Sequence, residues 1–416
     1  MAAAIHATTP PQPGRGVFCH WQPPPHIGPT SRIFAPPNGS APSVNPPTSP
    51  TFPRVIISGG GTGGHIYPAV AIANEIKARF PQAAILFVGA LGRMEMVRVP
   101  EAGYEIQGLR VAGLQRRLTL DNLAFPFKLI SAVREARRIV QEFRPDVVVG
   151  VGGYASAPTL LAATNLGLPT LIQEQNSYAG LTNKLLGKRV NRICVAYEGM
   201  ERFFPKEKLI LTGNPVRSDI LSARQHGVEA AQHFGLAAGR PTVLLIGGSL
   251  GARTLNQAMA AGLRRLVEAG CQVVWQTGKT YHSEATSVAA PFVMRGVKVF
   301  DFIKRMELAF ALADVVVSRA GALSISELSL TGHPTILVPS PNVAEDHQTK
   351  NAQALAQRGA ALLMSDADAA ARLIDEVLAL VQNSARQESL RKNLLPLGRP
   401  NATAAIVNEV LALARR

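Results

Sequence analysis

Acidic residues are scarce in this chain. Its 416 residues hold 28 Asp and Glu against 43 Lys and Arg, a formal charge of +15, and no acid occurs from Met1 to Pro53. Such an excess suits an anionic partner, whether a nucleotide, a phospholipid surface or a nucleic acid. It also fits plain arginine enrichment at exposed positions. Aromatic residues make up only 6%, and the basic positions are not interleaved with stacking rings, so no nucleic-acid partner is expected. Cysteine is nearly absent. Cys19, Cys194 and Cys271 lie far apart with no CxxC pair or His/Cys cluster, which argues against a disulfide framework and a thiolate metal site and reads as a reducing compartment. No uninterrupted apolar run reaches the roughly 18 residues of a membrane-spanning helix. Any membrane contact is expected to be peripheral.

What is present is apolar and helix-forming: 47% of residues are hydrophobic, in a chain suited to two domains rather than one. The first 53 residues are set aside. Runs such as Pro23-Pro24-Pro25 and Pro46-Pro47 suit neither sheet nor helix, and no apolar stretch resembles a secretory signal. This segment reads as a disordered extension, an over-extended translation start included, or as an organelle transit peptide.

From Arg54 a pattern begins that occurs twice. Arg54–Ser58 is a short β-branched run, followed by Gly59-Gly-Gly-Thr-Gly-Gly64, a helical stretch from about Tyr67 to Phe80, and a strand over Ala84–Val88. Thr242–Ile246, Gly247-Gly-Ser-Leu-Gly-Ala-Arg253, a helix to about Gly270 and the strand Gln272–Gln276 repeat it. Strand, glycine turn, helix, strand is the βαβ unit. A third glycine turn, Gly150–Tyr154, follows a strand over Asp146–Val149. Further strands are expected at Asp314–Ser318 and Thr335–Val338, and helices at Ser324–Leu330, Ala369–Val381 and Ala402–Ala414. The fold class is therefore α/β, with two doubly wound Rossmann-like domains at 54–213 and 214–416; the last helix is expected to reach back to the first domain.

Glycine turns between strand and helix let backbone N–H groups approach a phosphate, aided by the helix dipole. Residues 59–64 fit GxGxxG, yet the second strand, Ile85–Gly89, lacks the acid that a dinucleotide ribose would use about 20 positions on, which disfavours NAD. Gly278-Lys279-Thr280 mimics the end of a P-loop, but Val273 stands where its first glycine belongs. Asp366-Ala-Asp368 resembles a DxD metal motif, although its place directly before a helix favours N-capping.

Eight motifs then occur in one order: Gly59–His65, Gly152-Gly-Tyr154, Glu174-Gln-Asn176, Gly180–Lys184, Gly213-Asn-Pro-Val-Arg217, Gly247–Arg253, Arg319–Leu323 with Glu327, and His347-Gln348. This series resembles the MurG family and spans essentially all of the chain after residue 53. The resemblance implies a GT-B architecture, with the active site in a cleft between the two domains. It implies an inverting glycosyltransferase that moves N-acetylglucosamine (GlcNAc) from UDP-GlcNAc to the MurNAc 4-hydroxyl of undecaprenyl-diphospho-MurNAc-pentapeptide, in peptidoglycan synthesis. The implied place of work is the cytoplasmic face of the cell membrane, held peripherally.

By that resemblance, Thr62, Gly63 and Gly64 face the cleft where donor and acceptor meet. Ile303, Ala322, Leu323, Ser324, Ile325, Ser326 and Glu327 line the uridine side, while Asn176 and Gln348 contact the donor sugar. Ser249 and the turn amides suit the diphosphate, and Arg217 offers its leaving oxygens a delocalised cation. Glu327 can accept from both ribose hydroxyls; without the resemblance it would read equally well as an acid at a helix N-terminus. His65 is the candidate base, because its ordinary pKa lies near working pH; a loop-positioning ring is the alternative. His333, before Pro334, reads as an ordinary loop histidine. No protein-bound cofactor or metal is expected, which leaves room for a divalent ion from solution. Leu250 stands where some family members carry Gln.

Between Gly108 and Arg138 seven Lys/Arg outnumber two acids and alternate with apolar residues. Leu123, Phe125, Phe127 and Lys128 are the expected anionic-membrane face, against an ordinary core helix with a charged outer side. Other functions remain in view: transfer to a different lipid such as diacylglycerol, a UDP-sugar epimerase of related fold, and a pyridine-nucleotide oxidoreductase.

Overall fold

The computed structural model describes residues 52–111, 125–248, 251–343 and 346–415. The proposed extension thus lies outside the described residues up to residue 51. Pro53 already belongs to the fold: it is buried, and its carbonyl accepts from Ala84 N at 3.0 Å.

Two all-parallel sheets form, because each half supplies short β-branched runs that helices cover on both faces. The first has β1 (Arg54–Gly59), β2 (Ala84–Ala90), β3 (Glu105–Leu109), β4 (Val147–Gly152), β5 (Thr170–Glu174), β6 (Arg192–Val195) and β7 (Leu209–Leu211), in the order β3-β2-β1-β4-β5-β6-β7. The second has β8 (Thr242–Ile246), β9 (Gln272–Gln276), β10 (Val297–Phe300), β11 (Val315–Ser318), β12 (Thr335–Leu337) and β13 (Leu362–Leu363), in the order β10-β9-β8-β11-β12-β13. Val55 pairs with Ile85 on one side and Val147 on the other; Val243 likewise pairs with Val273 and Val315. In both sheets the chain therefore reverses its direction of growth beside the first strand. A doubly wound sheet opens its ligand crevice there, at the carboxyl ends of the strands. The glycine turns after β1, β4 and β8 all sit at such ends.

Each sheet has an apolar layer on both faces. Val55, Ile57, Phe87 and Val149 face one layer of the first sheet, whereas Ile56, Leu86 and Val148 face the other. The alternation follows from the period of two along a strand. The final helix, Ala402–Ala414, contributes Ile406, Val407 and Val410 to the first sheet's core. Arg79 ties it down by donating to Asn408 Oδ1 at 2.6 Å. After building the second sheet, the chain thus returns to cover the first.

Candidate active site

His65 lies in the first turn of the helix Gly63–Arg79, which follows β1 through an extended Thr62 (φ −145°, ψ 160°). Thr62 and Gly64 are exposed, so the turn is open where the sequence places it. His65 Nδ1 stands 2.9 Å from Gly60 O. A carbonyl can only accept, so Nδ1 carries the proton and Nε2 keeps a free lone pair. Burial holds the His65 pKa below its ordinary value. The hydrogen bond to Gly60, Glu174 and Glu95 work in the opposite direction, while His347 of the second half adds to the depression. The ring is therefore neutral at pH 7, as a base must be.

Across the carboxyl ends of the first sheet, the carboxylate of Glu174 organises the next loop. It accepts from Asn176 N (3.0 Å), Gly180 N (3.0 Å) and Asn183 Nδ2 (2.8 Å). Asn176, the expected sugar contact, has its Oδ1 3.1 Å from Asn351 Nδ2. Asn351 is fully buried in the helix His347–Ala356, and its Oδ1 accepts from both Ser177 N and Ser177 Oγ at 2.9 Å. A second polar seam joins the halves through Asn214, whose Nδ2 donates to Gln175 O and Ser326 Oγ, each at 3.0 Å.

In the second half Arg217 Nη2 approaches Glu327 Oε1 at 3.6 Å. Glu327 sits midway along the helix Ala322–Thr331. Burial pushes its pKa up to about 7, against the pull of Arg217. Gln276, at the end of β9, donates to Gly248 O (3.3 Å) and accepts from Ile303 N (3.0 Å). It thereby fixes the glycine turn and the Ile303 segment to each other. Ser249 lies outside the described residues.

Several expected side chains point elsewhere. Ile303 and Ile325 are 3% and 2% exposed and belong to the second sheet's core, so whatever they offer a ligand comes from their backbone. Ala322 is also buried, whereas Leu323 and Ser324 are partly open. Ser326 Oγ donates to Ala322 O at 2.9 Å while accepting from Asn214, as a hydroxyl inside a helix does when it back-bonds one turn. Gln348 is turned towards Ser340, accepting from its N–H at 2.9 Å.

The N-cap expected from Asp366-Ala-Asp368 belongs instead to Ser365, whose hydroxyl accepts from Asp368 N at 3.1 Å. Asp366 pairs with Arg319 and accepts from Thr254 Oγ1 at 2.8 Å. No group of three or more His, Cys, Asp or Glu at metal-holding distances occurs among the described residues. His333 lies in the loop before β12, as expected, but is buried: 6% exposed, stacked on Phe310 and 2.7 Å from Thr331 Oγ1.

Of the expected membrane face, Leu123 falls outside the described residues, and of Phe125 only the backbone is described, as the first residue of the helix Phe125–Phe143. Phe127 is 77% exposed, Ile130 is exposed, and Lys128 is exposed between them. Ala136, Ile139 and Val140 of the same helix are buried in the first sheet's core. The helix is thus a core helix along its length and an apolar, basic projection at its start. No described helix is long and apolar enough to cross a membrane.

Sequence reasoning took Asn214 only as part of the Gly213–Arg217 motif and passed over three other buried polar residues that hold these parts: Glu95, Gln276 and Asn351. Nothing in the spacing of these three marks them. A buried polar residue becomes visible only when the fold supplies its partners.

Comparison with known proteins bears on the family and the fold. Residues 55–195 match the model of the glycosyltransferase family 28 N-terminal domain, and residues 242–405 that of its C-terminal domain. A protein of Cytophaga hutchinsonii named UDP-N-acetylglucosamine–N-acetylmuramyl-(pentapeptide) pyrophosphoryl-undecaprenol N-acetylglucosamine transferase is 58% identical over 360 residues, 86% of this chain and 96% of that protein. A Bacteroides fragilis protein of the same name is 54% identical over 367 residues, covering 87% and 96%. The crystal structure of Acinetobacter baumannii MurG superposes with a TM-score of 0.71 at 28% identity, over 86% of this chain and 99% of that one. A Listeria monocytogenes structure described as a UDP-N-acetylglucosamine 2-epimerase shares the fold alone, at 13% identity and a TM-score of 0.58. With two domain models in register and relatives above half identity along nearly their whole length, the chain belongs to glycosyltransferase family 28, in its MurG group of N-acetylglucosamine transferases.

Proposed function

We propose that this chain transfers GlcNAc from UDP-GlcNAc to the 4-hydroxyl of the MurNAc in undecaprenyl-diphospho-MurNAc-pentapeptide, in one inverting displacement. The observation that carries the chemistry is the neutral His65, whose Nδ1 proton is committed to Gly60 O and whose Nε2 is free. Nε2 takes the proton of the acceptor hydroxyl as that oxygen bonds to the anomeric carbon. The bond from the same carbon to the diphosphate oxygen breaks with its electron pair, and UDP leaves from the opposite face, giving a β-linkage. Arg217 and the amides of the turn after β8 receive the leaving charge, with no protein-bound metal required. Glu327 in its ionised form accepts from the ribose hydroxyls. Asn176 and Gln348 reach the donor sugar only by exchanging their present partners, Asn351 and Ser340, and closure of the halves around the donor supplies that exchange.

The first half is the acceptor and membrane side. Exposed apolar residues gather after its strands: Tyr67 after β1, Leu91 after β2, Tyr154 after β4, and Leu181 and Leu185 after β5. Phe127 and Ile130 begin the helix that follows β3. Exposed apolar residues at these positions, with Lys128 next to Phe127 in the chain, suit a polyprenyl diphosphate in an anionic membrane, on the cytoplasmic face, where nucleotide sugars are available.

The test is incubation of the purified protein with labelled UDP-GlcNAc and a short-chain analogue of the lipid acceptor. Labelled disaccharide-lipid is the expected product. Donor consumed without acceptor would point to an epimerase, and transfer to diacylglycerol but not to the analogue would replace the acceptor.

A further inference from the structure

The first residue of the helix Glu95–Glu101 carries no part of the chemistry above, yet its side chain is 1% exposed. Glu95 lies against the glycine turn rather than in solvent. Its Oε2 accepts from Gly61 N at 2.8 Å and its Oε1 from Ala90 N at 2.9 Å. A Cβ on Gly60 would stand 2.2 Å from the Glu95 carboxyl carbon, so the turn needs glycine there because the carboxylate occupies that space. Gly61 adopts φ +84°, which presents its N–H to the carboxylate.

Gly61 N and Gly60 O belong to one peptide group. Its N–H donates to Glu95, and its C=O accepts from His65 Nδ1 at 2.9 Å. A carboxylate, a peptide and an imidazole therefore form a single hydrogen-bonded chain. We propose that Glu95 is the positioning residue of the catalytic base, acting on His65 through the polarised Gly60–Gly61 peptide. The inference rests on the reading of His65 as the base.

The physics is that of cooperative hydrogen bonds. A carboxylate drawing on the N–H shifts electron density towards the carbonyl oxygen of the same amide, which makes it a stronger acceptor for the Nδ1 proton. That raises the basicity of Nε2 and stabilises the imidazolium formed when the acceptor hydroxyl loses its proton. Glu95 gains no proton in the step; the one transferred stays on Nε2 until it leaves to solvent. The arrangement does what a carboxylate bonded directly to histidine does in hydrolytic triads, with a peptide inserted. It also offsets the burial that depresses the His65 pKa. The charged or titratable groups acting on His65 are Glu95, Glu174 and His347, so the effect of Glu95 has to be separated from those of the other two.

The arrangement carries a second consequence. The Gly61 amide, which a phosphate-binding turn would present to an anion, is already taken by the protein's own carboxylate. The turn after β1 is thereby committed to holding a base.

The first experiment needs no variant. In protein labelled with nitrogen-15 and with carbon-13 at histidine, the Gly61 amide resonance should move with the same midpoint as His65 Cε1 in a pH titration. A Gly61 resonance that stays still while His65 titrates would overturn the proposal. In Glu95→Gln the His65 midpoint should fall and kcat should drop roughly ten-fold, part of the 10²–10⁴ that a general base supplies, with donor KM changed less than about two-fold. Glu174→Gln serves as the control: it changes the field at His65 and leaves the Gly61 coupling intact. In a His65→Gln background Glu95→Gln should cost almost nothing further, because both changes act on one unit. A full additional loss there would assign Glu95 a purely structural role. If His65→Gln itself kept its kcat, the base assignment would fall, while the Gly61 titration would still decide the coupling.

Discussion

The two glycine turns that open the two sheets look alike in sequence and are loaded differently. In the turn after β1, Gly60 O holds His65 and Gly61 N is held by Glu95. In the turn after β8, Gly251 N bonds within the turn to Gly248 O and Gly247 N to Gln276 O. The side chain fixing this second turn is the neutral Gln276, and Arg253 follows as the first residue of the next helix. A turn with a carboxylate already seated in it repels an added anion, and one braced by an amide and followed by a cation attracts it. One backbone motif is thus suited to seat a base in one half and, by the function proposed here, to receive a diphosphate in the other. The surrounding side chains decide which.

The largest effect should come from breaking the first turn's function alone. His65→Ala is expected to lower kcat by about 10²–10⁴ while donor binding, measured by calorimetry with UDP, stays within about two-fold. Lost UDP affinity would mean that the first turn also holds the donor, and the division between the turns would fail. Next in size is the second half. Arg217→Ala and Glu327→Ala should each raise donor KM by roughly ten-fold or more, since each removes a charged hydrogen-bonding partner, and Glu327→Ala should also erode the preference for UDP over other nucleotides.

The pH dependence separates the halves as well. Burial raises the Glu327 pKa to about 7, and only the carboxylate accepts from two hydroxyls. Donor KM should therefore fall as pH rises through about 7, and Glu327→Gln should flatten that dependence. His65 is depressed below its ordinary value, so the acid limb of kcat should lie below pH 6.5. If the two limbs coincided, one group would govern both binding and chemistry.

Much of the fold was legible in the sequence. Both βαβ openings, their glycine turns and the strands Thr242–Ile246 and Gln272–Gln276 follow from β-branched runs bounded by glycine, and such local signals survive into the fold. The helix after the first turn starts at Gly63 rather than near Tyr67, with Pro68 inside it. Glycines carry no apolar periodicity, so that first turn is silent to pattern reading. Ile303 and Ile325 show the limit of carrying roles over by motif: the resemblance implies a place beside the uridine, and their side chains are core. Glu95 and Asn351 were invisible for another reason. Their partners lie 34 and 174 residues away, and single-sequence periodicity carries no such pairing.

Asn351 gives the next smaller prediction. Asn351→Ala removes one residue's bonds to Ser177 and Asn176 across the seam and leaves those of Asn214 in place. A loss of about three- to ten-fold in kcat/KM is expected, shared between kcat and KM, as for residues that set closure rather than chemistry. An effect on KM alone would make the residue a simple brace for Asn176.

The smallest effect on turnover should come from the second half's own histidine, which sharpens the contrast with His65. Burial lowers the His333 pKa to about 4, and the ring lies between Phe310 and Thr331, away from any role proposed above. Unfolded, it takes a proton near pH 6.5; folded, it resists until about pH 4. The unfolded state therefore binds more protons across that window, and stability is lost as pH falls from 6.5 towards 4, by on the order of 3 kcal/mol in all. His333→Gln should leave kcat within about two-fold, lower Tm at pH 7, and shrink the drop in Tm between pH 7 and pH 4.5. One histidine would then be shown to pay its burial in acid stability, and the other to use it in catalysis. An unchanged acid drop in the variant would shift that liability to other groups and leave His333 as packing alone.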